Sequence, residues 1–165
     1  MPLIADRNII SCKTAQYATY ASRNSTSWGE FNTAYRINYA PKLSTSVILV
    51  DFYFVVQTSV QHVLQSWRIY NVTDSAYLAN NGNLSSRNWV HAQSRGQYNA
   101  DNANSLHVYA TYSPGSTSSK TYALYHRNAS GSTTYIGYSA SDGTSAVQWR
   151  HSPQITVYEI APLNQ

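Results

Sequence analysis

The run Val47-Ile-Leu-Val-Asp-Phe-Tyr-Phe-Val-Val56 is β-branched or aromatic everywhere except Leu49 and Asp51, and it separates its two faces only weakly. In an extended chain Ile48, Val50, Phe52, Phe54 and Val56 fall on one side, and Val47, Leu49, Asp51, Tyr53 and Val55 on the other. A strand apolar on both faces is covered on both, by a second sheet and loops or by a neighbouring subunit. Asp51 needs a partner or exposure, because a buried unpaired carboxylate is costly. The run is about half a membrane span and holds a charge, so it reads as a buried strand.

The rest of the chain follows the same grammar. β-rich runs at Asn8–Tyr20, Phe31–Tyr39, Ser46–Ser59, Val63–Val72, Asn88–Ser94, Leu106–Ser113, Thr121–Arg127, Thr133–Tyr138 and Ile155–Ile160 alternate with breakers, and none carries capped helical periodicity. Ala40-Pro41 ends the second run. Asn80–Asn83 and Ser113–Ser116 read as loops, Asp142-Gly143 as a turn, and Asn128–Gly131 as the tight connection of a hairpin joining the seventh and eighth runs. Leu106, Val108, Ala110 and Tyr112 oppose His107, Tyr109 and Thr111; Ile155, Val157 and Glu159 oppose Thr156, Tyr158 and Ile160. The pattern predicts an all-β chain: a two-sheet antiparallel β-sandwich, jelly-roll-like, with about eight to nine strands. Residues 1–10 form an N-terminal segment and 11–165 a single domain of ordinary size.

The surface chemistry is unusual. Eleven Lys and Arg and seven Asp and Glu stand against 15 Tyr and 4 Trp. The helix formers Glu and Lys are scarce, and hydroxyls and amides do the solubilising. The net charge of +4 comes from missing carboxylates. Cations are spread singly from Arg7 to Arg150, without the clustering that neutralises several phosphates together, so no nucleic acid and no membrane is expected as partner. Cys12 is the single cysteine, which excludes an internal disulfide or thiolate cluster, and its alternation with Ile10, Thr14 and Gln16 makes it a strand residue. The N-terminus has no basic-then-apolar signal, so the chain is expected to be made complete in a cytoplasm. The sequons at Asn24, Asn71, Asn83 and Asn128 then reflect composition.

No arrangement for catalysis emerges. The carboxylates at 6, 30, 51, 74, 101, 142 and 159 are dispersed, and Asp74, Asp101 and Asp142 suit turns. A pair such as Asp51 and Glu159 could approach in the fold. His62, His91, His107, His126 and His151 lack metal-ligand spacing, although His91 or His107 could ring an oligomer axis. The chain contains no nucleophile elbow, phosphate loop or dinucleotide fingerprint. It reads as non-catalytic, with no cofactor and no metal.

What remains is contact. Tyr and Trp supply rigid amphipathic area for interfaces and flat faces for sugar rings. Trp67 and Trp89 read as core plugs or, for Trp89, as a contact residue; Trp28 and Trp149 lie beside turn-rich polar segments and suit subunit contacts or a glycan. The candidate interface or ligand-contact residues are Trp28, Tyr53, Trp89, Tyr109, Trp149 and Tyr158.

Two segments, Trp67-Arg-Ile-Tyr-Asn-Val-Thr-Asp-Ser75 and Ser152-Pro-Gln-Ile-Thr-Val-Tyr-Glu-Ile160, frame Leu106–Tyr112 and Lys120–Arg127, the latter followed by Ala129-Ser-Gly-Ser-Thr-Thr-Tyr135. This order resembles small β-sandwich virion proteins of tailed bacteriophages, head decoration (cement) proteins and tail-fibre C-terminal domains among them, over about residues 63–161. The resemblance implies a homotrimeric jelly roll on the outside of a capsid, bridging major capsid protein, with no catalytic motif to transfer. It also implies the alternative of a fibre or spike module recognising host glycan. Sandwich signals within ten residues of Met1 leave no shaft, which favours decoration.

Overall fold

The computed structural model describes residues 8–60, 62–78, 90–95, 103–138 and 151–162. Among them are twelve strands: β1 Ile9–Gln16, β2 Ala21–Asn24, β3 Gly29–Glu30, β4 Ile37–Tyr39, β5 Val47–Thr58, β6 Leu64–Asn71, β7 Ala76–Tyr77, β8 Ala92–Arg95, β9 Asn104–Tyr112, β10 Lys120–Asn128, β11 Thr133–Ile136 and β12 Gln154–Ile160. All pair antiparallel and divide into two six-stranded sheets, the expected sandwich with more strands than the eight or nine anticipated. The additional ones, β2, β3 and β7, are two to four residues long, too short for alternation to mark. Among the described residues no helix is long and apolar enough to cross a membrane.

The winding follows from β5, the longest strand. β9 runs along one edge of β5, and β12 and then β11 run along the other. β1 closes on β12, so the first sheet reads β1-β12-β5-β9, with β11 and β2 continuing beside it. In the second sheet β10 pairs with β6 on one edge and with β4 and β3 on the other, and β6 carries β8, giving β4-β10-β6-β8. Strands from opposite ends of the chain interleave in both layers, which is a jelly-roll winding.

The core lies between the layers. Ile48, Val50, Phe52, Phe54 and Val56 of β5 are buried, with Val108, Ala110, Ile155 and Val157 beside them and Trp67, Ile69, Tyr122 and Leu124 opposite. Trp67 is the plug that its sequence context suggests, packed on Phe31, Phe54 and His126 with ring centroids 4.4–5.7 Å apart. Each such fully buried side chain contributes about 1.5–3 kcal/mol. The other face of β5 stays half-buried in the single chain.

Two local expectations give way. The run at 31–39 is not one strand. Asn32 accepts the amide of Ala34 at 2.8 Å and caps a 3-10 turn over Thr33–Tyr35, leaving only β4 extended. Asn128–Gly131 is not a hairpin either, because β10 belongs to the second sheet and β11 to the first. Asn128 is buried; its carbonyl takes the amide of Gly131 at 2.5 Å and its NH2 donates to the Ser132 carbonyl, so the chain turns a corner between layers. The Asn80–Asn83 loop, the Asp142-Gly143 turn and Asn88-Trp89 lie outside the described residues.

Candidate functional site

Strand register places three of the candidate tyrosines together. Across the outer face of the first sheet, one row reads Tyr109, Asp51, Thr156, Thr14; the next reads His107, Tyr53, Gln154, Gln16; a third reads Thr111, Leu49, Tyr158, Cys12. Each follows from the two-residue period, since the intervening residues of β5, β9 and β12 point into the core. Tyr109 is the most exposed of the three tyrosines, at 57 %. Tyr53 and Tyr158 are half-buried. Cys12 is exposed on the same face.

Asp51 has the partner it required. His107 Nδ1 lies 3.1 Å from both of its carboxylate oxygens, which can only accept, so Nδ1 carries the donated hydrogen. The His107 ring lies against Tyr53 at 4.7 Å, and Tyr53 meets His151 edge-on at 5.1 Å. Asp51, Tyr53, His107, Gln154, Thr156 and Tyr158 line a depression of about 260 Å³. The carboxylate pair considered from sequence does not form, because Asp51 faces outward and Glu159 inward from β12.

Trp28 stands elsewhere, against the outer face of the second sheet. The Arg68 guanidinium lies 4.0 Å from its ring centroid and 4.7 Å from that of Tyr77, and Arg127 approaches the same indole at 5.4 Å. Tyr70 stacks on Tyr125 at 4.3 Å and meets Tyr77 at 5.0 Å, extending the cluster. Burial lowers the Arg68 pKa against the opposing effect of its hydrogen bond with Tyr77. Apart from Trp28, sequence reading missed this cluster, because its members come from separate strands. The available signal was alternation: Arg68 and Tyr70 interleave with Trp67 and Ile69, as Tyr125 and Arg127 do with Leu124 and His126. Trp, Tyr and Arg are the residues in which binding energy concentrates.

His91, considered as an axial ligand, is committed to the fold. Its Nδ1 accepts the Ile69 amide at 2.8 Å, so Nε2 donates to the Leu78 carbonyl at 3.0 Å. Burial lowers its pKa to about 4. Among the described residues no three of His, Cys, Asp and Glu cluster as metal ligands. Trp89 and Trp149 lie outside the described residues.

No protein-family model and no curated protein matches this chain. Among solved structures it is similar to that of infectious bursal disease virus Gx strain, at 14 % identity and TM-score 0.46, over 93 % of this chain and 37 % of that one. It is similar also to the infectious bursal disease virus VP2 subviral particle, at 14 % identity and TM-score 0.47, over 90 % of this chain and 32 % of that one. The chain spans about a third of the length of these structures, and likenesses of this size identify neither a family nor a role.

Proposed function

We propose that this chain is a non-catalytic virion structural protein that works by burying its outer surfaces. The observation that carries the reading is the pair of aromatic contact surfaces on opposite outer faces of one sandwich. One is built on Tyr53, Tyr109 and Tyr158, the other on Trp28, Arg68, Tyr70, Tyr77 and Tyr125. A coat component needs two separate surfaces, one for sister copies and one for the lattice beneath. The first face carries tyrosine and the second tyrosine, tryptophan and arginine, residue types enriched at interfaces.

In its finer form, following the resemblance to tailed-bacteriophage virion proteins, the chain is a homotrimeric decoration protein that binds the outside of the head and bridges major capsid subunits. Sedimentation velocity of the purified chain tests the self-association, with a trimer expected at micromolar concentration. Capsids prepared with and without the protein test the role, with loss of heat resistance expected in its absence. A chain that stays monomeric at tens of micromolar and leaves capsid melting unchanged would overturn the reading.

A further inference from the structure

Where β6 turns into β7, a second cavity of about 380 Å³ opens between that turn and the end of β9. Its wall is a fixed polar network. Asn71 Oδ1 accepts the Asp74 amide at 3.2 Å, and Asn71 Nδ2 donates to Asp74 Oδ2 at 2.8 Å. Lys120 Nζ donates to Asp74 Oδ1 at 2.6 Å from a residue only 9 % exposed. The hydroxyls of Tyr112 and Tyr122 meet at 2.6 Å. Tyr77, Leu78 and Tyr112 give the lining its apolar part, and exposed Thr111 stands at the mouth.

We propose that this cavity binds a neutral saccharide, the terminal one or two rings of a glycan. The Asp74 side chain is 41 % exposed, and each of its oxygens, with two lone pairs, accepts one of the hydrogen bonds above. Each oxygen therefore has capacity to take a sugar hydroxyl. Tyr77, Leu78 and Tyr112 supply apolar lining against which the C–H groups of a ring can pack, the combination of apolar wall and few oriented polar groups that small-ligand sites use. The volume falls within the range of such sites. Charge argues against the competitors: Lys120 is held by Asp74, so among the described residues lining the cavity no cation is left for an anionic ligand, and a carboxylate already bound to an ammonium is a poor cation ligand. The proposal does not rest on the assembly reading, and either stands if the other fails.

The test is titration of the full chain with neutral hexoses, N-acetylhexosamines and their disaccharides, followed by amide chemical shifts and calorimetry. At least one sugar is expected to bind, with shifts confined to residues 71–78 and 111–113. Thr111→Arg fills the mouth from an exposed position and should weaken that sugar at least about tenfold, a loss of about 1.4 kcal/mol, with thermal unfolding unchanged. Asp74→Asn should weaken it in the same direction. Silence across the panel, shifts clustered instead around Tyr53 and Tyr158, unaltered binding in Thr111→Arg, or binding of acidic sugars alone would each overturn the assignment.

Discussion

Glu159, on the core side of β12, accepts the hydroxyl hydrogen of Tyr39 at 2.8 Å, and its carboxylate also takes the backbone amides of Lys42 at 2.8 Å and Leu43 at 2.9 Å. One fully buried side chain thus satisfies the connection between β4 and β5 and ties it to the last strand. Burial alone would raise the pKa of this carboxyl. The amides of Lys42 and Leu43 and the hydroxyls of Tyr39 and Ser46 outweigh burial and hold it below the ordinary carboxylate value.

The first prediction follows from that arrangement. Glu159→Ala leaves buried donors without an acceptor and should cost about 3–5 kcal/mol, whereas Glu159→Gln, which keeps one acceptor oxygen, should cost about 1–3 kcal/mol. The folded-state pKa is depressed, so the carboxylate's contribution is fully present above the ordinary value of 4.5 and is lost as pH falls through the lower folded value. Urea unfolding of the three proteins at pH 7 checks the order, and equal midpoints for wild type and Glu159→Ala would refute it.

His126 makes the fold acid-sensitive from a higher pH. Its ring is fully buried against Trp67 and Phe31, with Nε2 3.2 Å from the Thr134 hydroxyl. Burial, reinforced by the nearby Arg23 charge, lowers its pKa from 6.5 to about 3. The unfolded chain therefore takes up a proton below 6.5 that the folded chain refuses, and stability falls from there down to about pH 3. Between pH 6.5 and 5 the loss from His126 is about 2 kcal/mol, and His91 adds to it in the same direction. His126→Phe with Thr134→Val should flatten this part of the stability–pH curve; an unchanged slope would show that the proton is taken up elsewhere.

What could be read from the residues, and what could not, divides by physical cause. The inward rows of β9 and β12 were legible because a two-residue period sorts their side chains onto two faces, whereas β5, apolar on both sides, showed its two rows without showing which one meets the core. Alternation placed Tyr53, Tyr109 and Tyr158 each on one side of its strand and left open what that side meets. Their convergence on one face needed the register β9-β5-β12, which no local pattern contains. Asn128–Gly131 has the chemistry of a tight turn and makes one, but turn chemistry does not say which sheet the next strand joins. Arg68 was illegible because its partners, Trp28 and Tyr77, stand 40 residues before it and nine after, brought together only by tertiary packing.

Arg68 and Trp28 should be energetically coupled. A guanidinium desolvated between two aromatic rings gains about 2 kcal/mol from a well-placed face. A double-mutant cycle of Trp28→Ala and Arg68→Ala should give a coupling of about 1–2 kcal/mol by chemical denaturation. Arg68→Lys should not restore it, because an ammonium lacks the planar face that stacks. Additive single-mutant costs, within about 0.3 kcal/mol, would mean the rings merely cover the guanidinium.

Under the proposed assembly, one exposed residue on each side tests which face joins sister copies. Tyr109 projects from the outer face of the first sheet at 57 % exposure, opposite Asp51 in the register; Leu64, at 39 %, stands on the outer face of the second sheet. A lysine at either exposed position should change the stability of the single chain by no more than about 0.5 kcal/mol. At an interface centre it would replace an aromatic anchor or an apolar contact with a charge that must be desolvated, a cost above about 1.4 kcal/mol and so at least about tenfold in association. Because His107 already partners Asp51 at 3.1 Å, a lysine at 109 does not relieve an unpaired carboxylate, and the cost is not offset locally. Tyr109→Lys is therefore expected to shift sedimentation toward monomer while Leu64→Lys leaves it unchanged. The opposite pattern would assign the sister contact to the Trp28–Arg68 face and leave the tyrosine face for the lattice.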